Sequence, residues 1–321
     1  ALCLFMFYPQ TGKMTPPQRY NSIRTFMTEH FLSARISLSS INQLPVLRIN
    51  NYRASATISV QGAQVLEFTP AGGDNLLFVA QGESFNQGEA IRGGIPICWP
   101  WFGAHPELAD APTHGLAREV DWQYKVVADS DNRTDLLFWL DLDGRHPAFP
   151  YPARAELLVS IGSSLVVSLT TLNLGPQPFQ LSQALHTYFA CQDQERVRIQ
   201  GLADRRYLDK LTGKNDSVPR AFSFDREIDW VVGDVGQALL FSGLGQKAIH
   251  MTRLGSRSVV LWNPGREKSK TLSHFLPDEY RGMFCVEASN ALEDCRLIKG
   301  NSSHVLVMEL SAVDLDAPKP A

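Results

Sequence analysis

The sequence predicts an all-β protein built as one large antiparallel sandwich with few short helices. From Val46 onward, short runs of β-branched and aromatic residues recur between turn residues at intervals of about ten positions. No long apolar stripe with helical spacing and capping residues accompanies them. No linker richer in Gly, Ser or Pro than its surroundings divides the 321 residues, so one large domain is expected rather than two.

The clearest predicted strand covers residues 165–170, because its side chains alternate as expected for a strand with one buried face. A hairpin is predicted from 119–128 and 136–143, since the residues between them at 129–132 are turn formers. The remaining predicted strands are 47–50, 56–60, 65–69, 76–80, 183–191, 197–202, 238–241, 258–262, 283–289 and 305–310.

Helix is expected only in residues 273–281 and in a piece near 22–35. The most polar region, residues 204–234, is predicted to form a long excursion, and Asp209 and Asp229 are among the residues it carries.

Composition and charge exclude several classes of protein. With 44% hydrophobic residues the chain can bury a large core, and its formal net charge of −3 with no run of Lys or Arg argues against nucleic acid as a partner. Five scattered cysteines without a C-x-x-C pair predict neither a disulfide framework nor a zinc cluster. A cytoplasmic location fits this cysteine usage best.

The N-terminal segment is apolar from Leu2 to Tyr8, which is far shorter than the roughly 20 residues that a membrane span requires. It is also a poor signal peptide, since no basic segment precedes it and no small-residue cleavage site follows. We expect residues 1–27 to be an extension that is not native or is poorly ordered, and residues 28–321 to form a single domain that does not contact a membrane.

A loop rich in Gly, Pro and Trp at residues 88–103 is the most unusual stretch of the chain. Gly93 and Gly94 allow a positive φ or a close backbone approach, and the prolines that follow stiffen the segment. Arg92 would then be presented from a rigid frame, with planar donors suited to a phosphate or carboxylate. The alternative is a loop that plugs the end of the core, with Arg92 merely solvated.

Two ionisable residues interrupt strands that are otherwise apolar. His186 lies in the predicted strand 183–191, and Glu287 lies in 283–289, where the other face of the strand is apolar. A buried carboxylate is costly unless it is paired, so Glu287 needs a partner or a function. The two groups facing one cavity would form an acid and a base for proton transfer, whereas His186 alone would be an ordinary core histidine bonded to backbone.

A third segment places His114 and Arg118 around a glycine shortly after the Trp-rich loop. The dipeptides it contains, His-Gly and Ala-Arg, are also common in surface turns. Metal binding by His114 and His186 has no supporting spacing, because neither His-x-His nor H-E-x-x-H occurs. The sequence also lacks the nucleophile elbow of serine hydrolases and the glycine motifs that bind nucleotides.

Taken together, four motifs in order resemble the D-hexose-6-phosphate mutarotases, the glucose-6-phosphate 1-epimerase branch of the aldose 1-epimerase family. The motifs are I-R-G-G-I-P with the following W-P-W-F-G, H-G-L-A-R, L-H-T-Y-F and V-E-A, and the resemblance runs from about residue 45 to residue 312. It implies the large antiparallel β-sandwich of the galactose mutarotase type. It also implies an isomerase that needs no cofactor and no metal.

By this resemblance His186 is the catalytic acid and Glu287 the catalytic base of ring opening and reclosure. Asp229 is expected to bind sugar hydroxyls, with Asp209 as a weaker claimant. The remaining expected substrate-binding residues are Gln87, Arg92, His114 and Arg118. Of these, Arg92 is expected to hold the phosphate, together with Arg118 in one arrangement.

The implied reaction is the interconversion of α and β anomers of hexose 6-phosphates, with glucose 6-phosphate as the first candidate and a monomer or weak dimer as the expected assembly. Two alternatives are a non-catalytic carbohydrate-binding module and a glycoside hydrolase that uses Asp229 and Glu287. A binding module has no reason to bury both His186 and Glu287, whereas a hydrolase needs two carboxylates on either side of the scissile bond.

Overall fold

The computed structural model describes residues 30–245 and 247–314, and within them strands dominate. The first strands are β1 (His30–Phe31), β2 (Ile36–Ile41), β3 (Leu44–Asn50), β4 (Ala54–Ser59), β5 (Val65–Pro70), β6 (Ile97–Cys98), β7 (Gln123–Ser130), β8 (Arg133–Asp143), β9 (Pro152–Ile161), β10 (Leu165–Asn173), β11 (Phe179–Leu181) and β12 (Gln183–Leu185). The others are β13 (Tyr188–Ala190), β14 (Arg198–Gln200), β15 (Arg206–Asp209), β16 (Lys214–Ser217), β17 (Ile228–Val232), β18 (Ala238–Ser242), β19 (Lys247–Leu254), β20 (Ser258–Asn263), β21 (Met283–Asn290), β22 (Arg296–Ile298) and β23 (Ser303–Asp314).

These strands form a large antiparallel sandwich. One eight-stranded sheet has the order β14-β18-β19-β23-β10-β9-β8-β7. The other has the order β16-β15-β17-β20-β21-β12-β6, with β13 also paired to β21, and we call it the site sheet. A five-stranded sheet runs from β1 to β5 in chain order, and β11 pairs with β22. The predicted all-β sandwich is therefore confirmed.

The core lies between the two eight-stranded sheets. Phe284, Val286 and Ala288 on β21 are fully buried in the same apolar cluster as Leu157 on β9 and Val167 on β10. Because side chains alternate along a strand, the residues between them on β21 point to the other face of the site sheet. That face carries the ionisable residues described below.

Two predicted strands differ from the structure. Residues 76–80 form no regular strand and make only isolated bridges, Leu77 with Phe189 and Val79 with Gly93, because the neighbouring segment is a glycine turn rather than a strand that could continue the ladder. The predicted strand 183–191 is divided into β12 and β13, since the N–H of Thr187 turns back to the carbonyl of Leu185 at 2.8 Å.

The helix predictions were wrong in their boundaries. In place of a helix over 273–281, the structure has a short α-helix, α1, at Gly265–Ser269 and a 3₁₀ turn at Glu279–Gly282. Two further 3₁₀ turns lie at Gln194–Arg196 and Leu292–Asp294. The expected helix near 22–35 lies partly outside the described residues, and its described part contains β1. The predicted N-terminal extension, 1–27, also lies outside them.

Candidate active site

His186 and Glu287 are brought together by strand register. β12 and β13 pair with β21 in one continuous register on either side of the break, with Leu185 opposite Ala288 and Tyr188 opposite Cys285. His186 therefore occupies the position directly across from Glu287. Directly opposed side chains project to the same face of a sheet, so both side chains leave the site sheet on the side away from the core.

The two side chains are in contact in a nearly closed environment. His186 Nε2 lies 3.3 Å from Glu287 Oε1, with 12% of the imidazole side chain and 1% of the glutamate side chain exposed. The other polar atom of each group, His186 Nδ1 and Glu287 Oε2, is buried without a hydrogen-bond partner among the described residues. Buried polar atoms are rarely left unpaired, so these two atoms are available for a ligand.

Burial disfavours the charged form of both groups. It lowers the pKa of His186 to about 3, with the nearby Arg118 as the next contribution. It raises the pKa of Glu287 well above its usual range, and the charge of Asp229 adds to that effect. Both shifts favour a neutral imidazole beside a protonated carboxyl, a pair that can pass one proton between two atoms 3.3 Å apart.

Aromatic rings surround the imidazole. The ring of Tyr188 stacks on that of His186 with centroids 4.9 Å apart, and Trp262 meets it edge-on at 6.0 Å. Trp262 is opposite Cys285 in the ladder and thus lies on the same face as Glu287, and its ring is partly exposed. Tyr188 and Trp262 form an apolar wall beside the polar pair, which suits the mixed character of a sugar ring.

Glycines allow the surrounding loops to approach the site sheet. Gly94 has φ of 61°, and a Cβ there would lie 2.2 Å from the Val65 carbonyl oxygen. Gly115 has φ of 85°, and a Cβ there would lie 2.1 Å from the carbonyl oxygen of Trp99. Since no side chain can occupy such space, glycine is required at both positions for the loops to reach the pocket.

His114 is held beside His186 in a defined tautomer. The two imidazole centroids are 5.7 Å apart, and Nδ1 of His114 accepts a hydrogen bond from the N–H of Gly103 at 3.2 Å. Burial and the charge that His186 would carry when protonated lower the pKa of His114 well below its usual range, so its imidazole is neutral. An accepting Nδ1 leaves the proton on Nε2, which makes His114 a hydrogen-bond donor.

Three cations border the pair. Arg118, Arg92 and Lys210 each lower the pKa of His186 through their positive charge, which places all three within electrostatic reach of the imidazole. Arg118 donates from Nη2 to the carbonyl of Thr113 at 2.6 Å, while its buried Nε has no partner in the described chain. Arg92 donates from Nε to the carbonyl of Ser273 at 3.0 Å. Three positively charged side chains therefore lie close together in a chain of net charge −3.

Asp229 and Asp209, both in the polar excursion, face opposite sides of the site sheet. Asp229 is opposite Trp262 in the ladder and so projects to the same face as Glu287, where Lys210 Nζ lies 3.1 Å from its carboxylate. Asp209 is opposite Trp230, on the face away from the pair, and bonds the N–H of Leu211. Burial raises the pKa of Asp229 even with Lys210 beside it.

Gln87 lies apart from the other expected site residues. It is exposed, and its N–H donates to the side chain of Gln43 at 3.2 Å. Within the described chain no contact joins it to His186 or Glu287. Five of the expected residues, by contrast, lie near Glu287 on one face of the site sheet. They are His186, Arg92, His114, Arg118 and Asp229.

A separate cavity of about 950 Å³ opens beside this pocket. Lys210 and Phe102 line it, and both also border the pocket: the ammonium of Lys210 lies 5.5 Å above the ring of Phe102, and that ring packs 4.9 Å from His114. His186 and Glu287 do not line this cavity. The pocket with the unpaired atoms is therefore the better candidate for the reaction site.

Sequence reasoning missed Lys210, Tyr188 and Trp262 as site residues. Lys210 sits one position after the aspartate that faces away, and only the pairing of β15 with β17 brings it to Asp229. The one signal available beforehand was a Lys–Asp combination inside the polar excursion. Alternation along the predicted strand 183–191 places Tyr188 on the same face as His186, but it does not identify Tyr188 as a site residue. Trp262 has the pattern of an ordinary strand aromatic.

No group of three or more His, Cys, Asp or Glu side chains in the described part of the chain is arranged to hold a metal ion. No helix in the same residues has the length and apolar character needed to cross a membrane.

Comparison with known proteins gives matches over most of the chain. An Escherichia coli K12 protein provisionally named glucose-6-phosphate 1-epimerase is 28% identical, with 85% of this chain and 92% of that protein covered. A protein of the same provisional name from Cenchrus ciliaris is 33% identical, with 72% and 74% covered. An identity of 33% over 72% of this chain indicates that the second protein shares its family and not only its fold.

Solved structures show the same fold. A provisionally identified mutarotase from Salmonella typhimurium superposes with a TM-score of 0.82 at 24% identity, covering 89% of this chain and 96% of that one. A galactose mutarotase-like protein from Clostridium acetobutylicum gives a TM-score of 0.67 at 14% identity, covering 87% and 98%. The antiparallel sandwich is therefore of the galactose mutarotase type, as the resemblance implied.

The aldose 1-epimerase family profile matches residues 45–311, which is most of the chain and includes every pocket residue described above. An imidazole and a carboxyl group in contact, able to exchange one proton, are also what exchange between sugar anomers requires. The chain therefore belongs to the aldose 1-epimerase family and is an isomerase that acts as a sugar mutarotase.

Proposed function

We propose that this protein interconverts the α and β anomers of hexose 6-phosphates, with glucose 6-phosphate as the first candidate. The observation that carries the proposal is the contact between buried His186 and Glu287 beneath a rim of cations. The provisional names of the relatives from Escherichia coli and Cenchrus ciliaris support the same substrate class.

The geometry suits the two oxygens that react. In a pyranose, O1 and O5 are bonded to the same carbon, so an acid and a base that act on them must also be close neighbours. His186 Nε2 and Glu287 Oε1 are 3.3 Å apart, and both have a second polar atom without a partner in the described chain. Both groups can therefore act at the same time on the two oxygens bonded to C1.

In the proposed reaction Glu287, as carboxylate, removes the proton from O1, and the O1–H electron pair forms the C1=O1 double bond. The C1–O5 bond breaks, and O5 takes a proton from the His186 imidazolium. Rotation about C1–C2 presents the other face of the aldehyde. Closure then reverses both transfers, returning a proton to His186 and one to O1, so that no proton is gained or lost overall.

The proton count of the resting site agrees with this cycle. The reactive pair, imidazolium with carboxylate, and the open-chain pair, imidazole with carboxylic acid, contain the same single proton. Burial favours the neutral arrangement by lowering the pKa of His186 and raising that of Glu287. Each turnover therefore needs only proton transfers among His186, Glu287 and the sugar oxygens O1 and O5, with no proton from solvent.

The C6 phosphate is assigned to Arg118 and Arg92. Arg118 has a buried Nε without a partner, and Arg92 uses only its Nε within the described residues, so both guanidinium groups retain donors for an anion. Guanidinium groups make paired, charge-assisted hydrogen bonds to phosphate oxygens. Gln87, exposed on the same loop as Arg92, is assigned to the outward side of the phosphate.

The sugar ring is assigned to the remaining polar and aromatic groups. Asp229 accepts hydrogen bonds from sugar hydroxyls while Lys210 holds its carboxylate, and Nε2–H of His114 donates a hydrogen bond to an oxygen on the ring. The partly exposed ring of Trp262 packs against the apolar side of the sugar. These assignments place acceptors and donors on one side of the ring and the aromatic contact on the other.

Neither alternative explains the pair as well. A glycoside hydrolase would use Asp229 and Glu287 as its two carboxylates, yet Asp229 is neutralised by Lys210 and Glu287 is in contact with an imidazole. A binding module would need the cations and aromatic rings but not a buried imidazole beside a buried carboxyl, whose desolvation costs stability. The pair is best explained by catalysis.

The decisive experiment is exchange NMR on equilibrated glucose 6-phosphate, in which the rate of α to β interconversion is measured with and without the protein. Strong acceleration with glucose 6-phosphate and weaker acceleration with glucose is expected. Incubation with aryl glucosides and their 6-phosphates controls for hydrolysis. Bound sugar without faster exchange would support the binding module, and release of the aryl alcohol would support the hydrolase.

A further inference from the structure

Arg92 is held by groups that lie outside the pocket. Its N–H donates to Oε2 of Glu83 at 2.7 Å, its carbonyl accepts from the N–H of Ala80 at 3.0 Å, and its Nε donates to the Ser273 carbonyl. Within the described residues its two terminal nitrogens have no partner, so the backbone and the first nitrogen are fixed while the tip of the guanidinium remains available.

Glu83 is a buried carboxylate with unusually many backbone donors. Its side chain is 1% exposed, and Oε1 accepts from the N–H groups of Ser84 at 2.9 Å and Phe85 at 3.2 Å. With the N–H of Arg92 on Oε2, three backbone donors converge on one carboxylate. These bonds stabilise Phe85 at φ of 52°, a conformation that bulky residues rarely adopt.

His274 joins this carboxylate to the segment that supplies the Ser273 carbonyl. Nδ1 of its imidazole lies 3.1 Å from the hydroxyl of Ser84 and 4.0 Å from Glu83, and Nε2 lies 3.2 Å from Glu89. His274 itself has φ of 56°. The contacts on either side of Arg92, to Glu83 and to Ser273, are therefore linked through one side chain.

We propose that Glu83 is a positioning residue that sets the selectivity of this protein for phosphorylated sugars by holding Arg92, with His274 supporting it. The inference rests on the proposed function, because it assumes that Arg92 binds the C6 phosphate. Glu83 contacts neither His186 nor Glu287 in the described chain. Its effect is therefore on the binding of the phosphate and not on proton transfer.

The test is a kinetic cycle that combines Glu83→Gln with Arg92→Met, using glucose 6-phosphate and glucose. A glutamine at 83 keeps only one accepting oxygen and must place its NH₂ group against a backbone N–H, so the anchor of Arg92 is weakened at nearly constant volume. We expect the KM for glucose 6-phosphate to rise roughly 10-fold with kcat little changed, since one charge-assisted contact is weakened. Kinetics with glucose should stay within about 2-fold of wild type.

On the Arg92→Met background the same glutamine should change the ratio of the two kcat/KM values by less than about 2-fold, because the residue through which it acts is gone. Glu156→Gln, a carboxylate on β9 in the other eight-stranded sheet, is the matched control and should leave both substrates unaffected. If Glu83→Gln fails to fold, His274→Asn replaces it, since Asn tolerates a positive φ, and a smaller rise in the same KM is expected.

The outcomes separate this inference from the proposed function. If Arg92→Met weakens glucose 6-phosphate selectively but Glu83→Gln and His274→Asn affect both sugars equally, the positioning role is overturned and the phosphate site stands. If Arg92→Met itself has no selective effect, the assignment of Arg92 fails, and with it the role of Glu83. If the protein still exchanges glucose 6-phosphate faster than glucose, the proposed substrate class stands, with Arg118 as the residue that binds the phosphate.

Discussion

The acid–base pair and the cationic rim of the pocket are built in different ways. His186 and Glu287 are fixed by the register of β12, β13 and β21, in which a slip of one residue would turn Glu287 into the core. Arg92 and Arg118 lie on irregular segments, and the side chain of each donates to one backbone carbonyl.

This difference indicates how the work of the site is divided. A register-fixed pair cannot be altered without altering the sandwich, so the proton chemistry is tied to the fold. The rim can change with little effect on the sheets, because loops tolerate substitution better than paired strands. We therefore expect variants of the pair to abolish exchange with every sugar and variants of the rim to change which sugar is used.

The largest expected effect comes from Glu287→Gln. Burial favours the protonated form of the Glu287 carboxyl, so a neutral amide of the same shape should leave the free energy of unfolding nearly unchanged. Loss of the base should slow anomer exchange by about 10²- to 10⁴-fold with glucose 6-phosphate and with glucose alike. Exchange NMR and thermal unfolding check the two halves of the prediction. Activity within a few-fold of wild type would remove Glu287 from the mechanism.

Arg118→Met should instead separate the two sugars. Loss of charge-assisted hydrogen bonds to the phosphate is expected to lower kcat/KM for glucose 6-phosphate by roughly 10- to 100-fold, while exchange of glucose changes little. Arg154→Met, which removes an exposed arginine paired with Asp141 on the other sheet, is the matched control. An equal loss with both sugars would mean that Arg118 supports the pair and does not select the phosphate.

The sequence allowed the pair to be predicted more fully than the rim. Alternation places Glu287 on the face of its strand away from Phe284 and Val286, so its unusual position was visible, and the contact with His186 could be stated as a hypothesis. The partnership of Lys210 with Asp229 could not, because it depends on how the excursion folds back on itself. The prediction of a strand at residues 76–80 was wrong for a related reason, since an apolar run does not show whether a neighbouring segment is free to pair with it.

The pKa of His186 should connect the two regions. Burial and Arg118 lower it to about 3, so the folded protein takes up no proton at this site near pH 6.5, where an unfolded histidine does. The contribution of His186 to the free energy of unfolding must therefore decrease as pH falls from 6.5 toward 3. NMR titration of the imidazole should show no transition down to about pH 4.

Arg118→Met should then move that imidazole titration to higher pH, because the variant removes the largest charge effect that lowers the pKa of His186. Arg154→Met should leave the titration where it is, since no contact joins that arginine to the pocket within the described chain. Superimposable curves for wild type and Arg118→Met would place Arg118 too far from the pair to share a substrate with it.

The smallest effect is expected for Lys210 and Asp229, which connect the pair and the rim. Lys210→Met leaves a half-buried carboxylate without its ion partner, so the pKa of Asp229, already raised by burial, should rise further. Each single variant should reduce kcat/KM several-fold with both sugars, because both sugars present the same ring hydroxyls. In a double-mutant cycle with Asp229→Asn the coupling should be about 1 kcal/mol, the scale of a partly exposed ion pair. Additive losses would mean that Lys210 acts on the substrate directly and not by holding Asp229 in place.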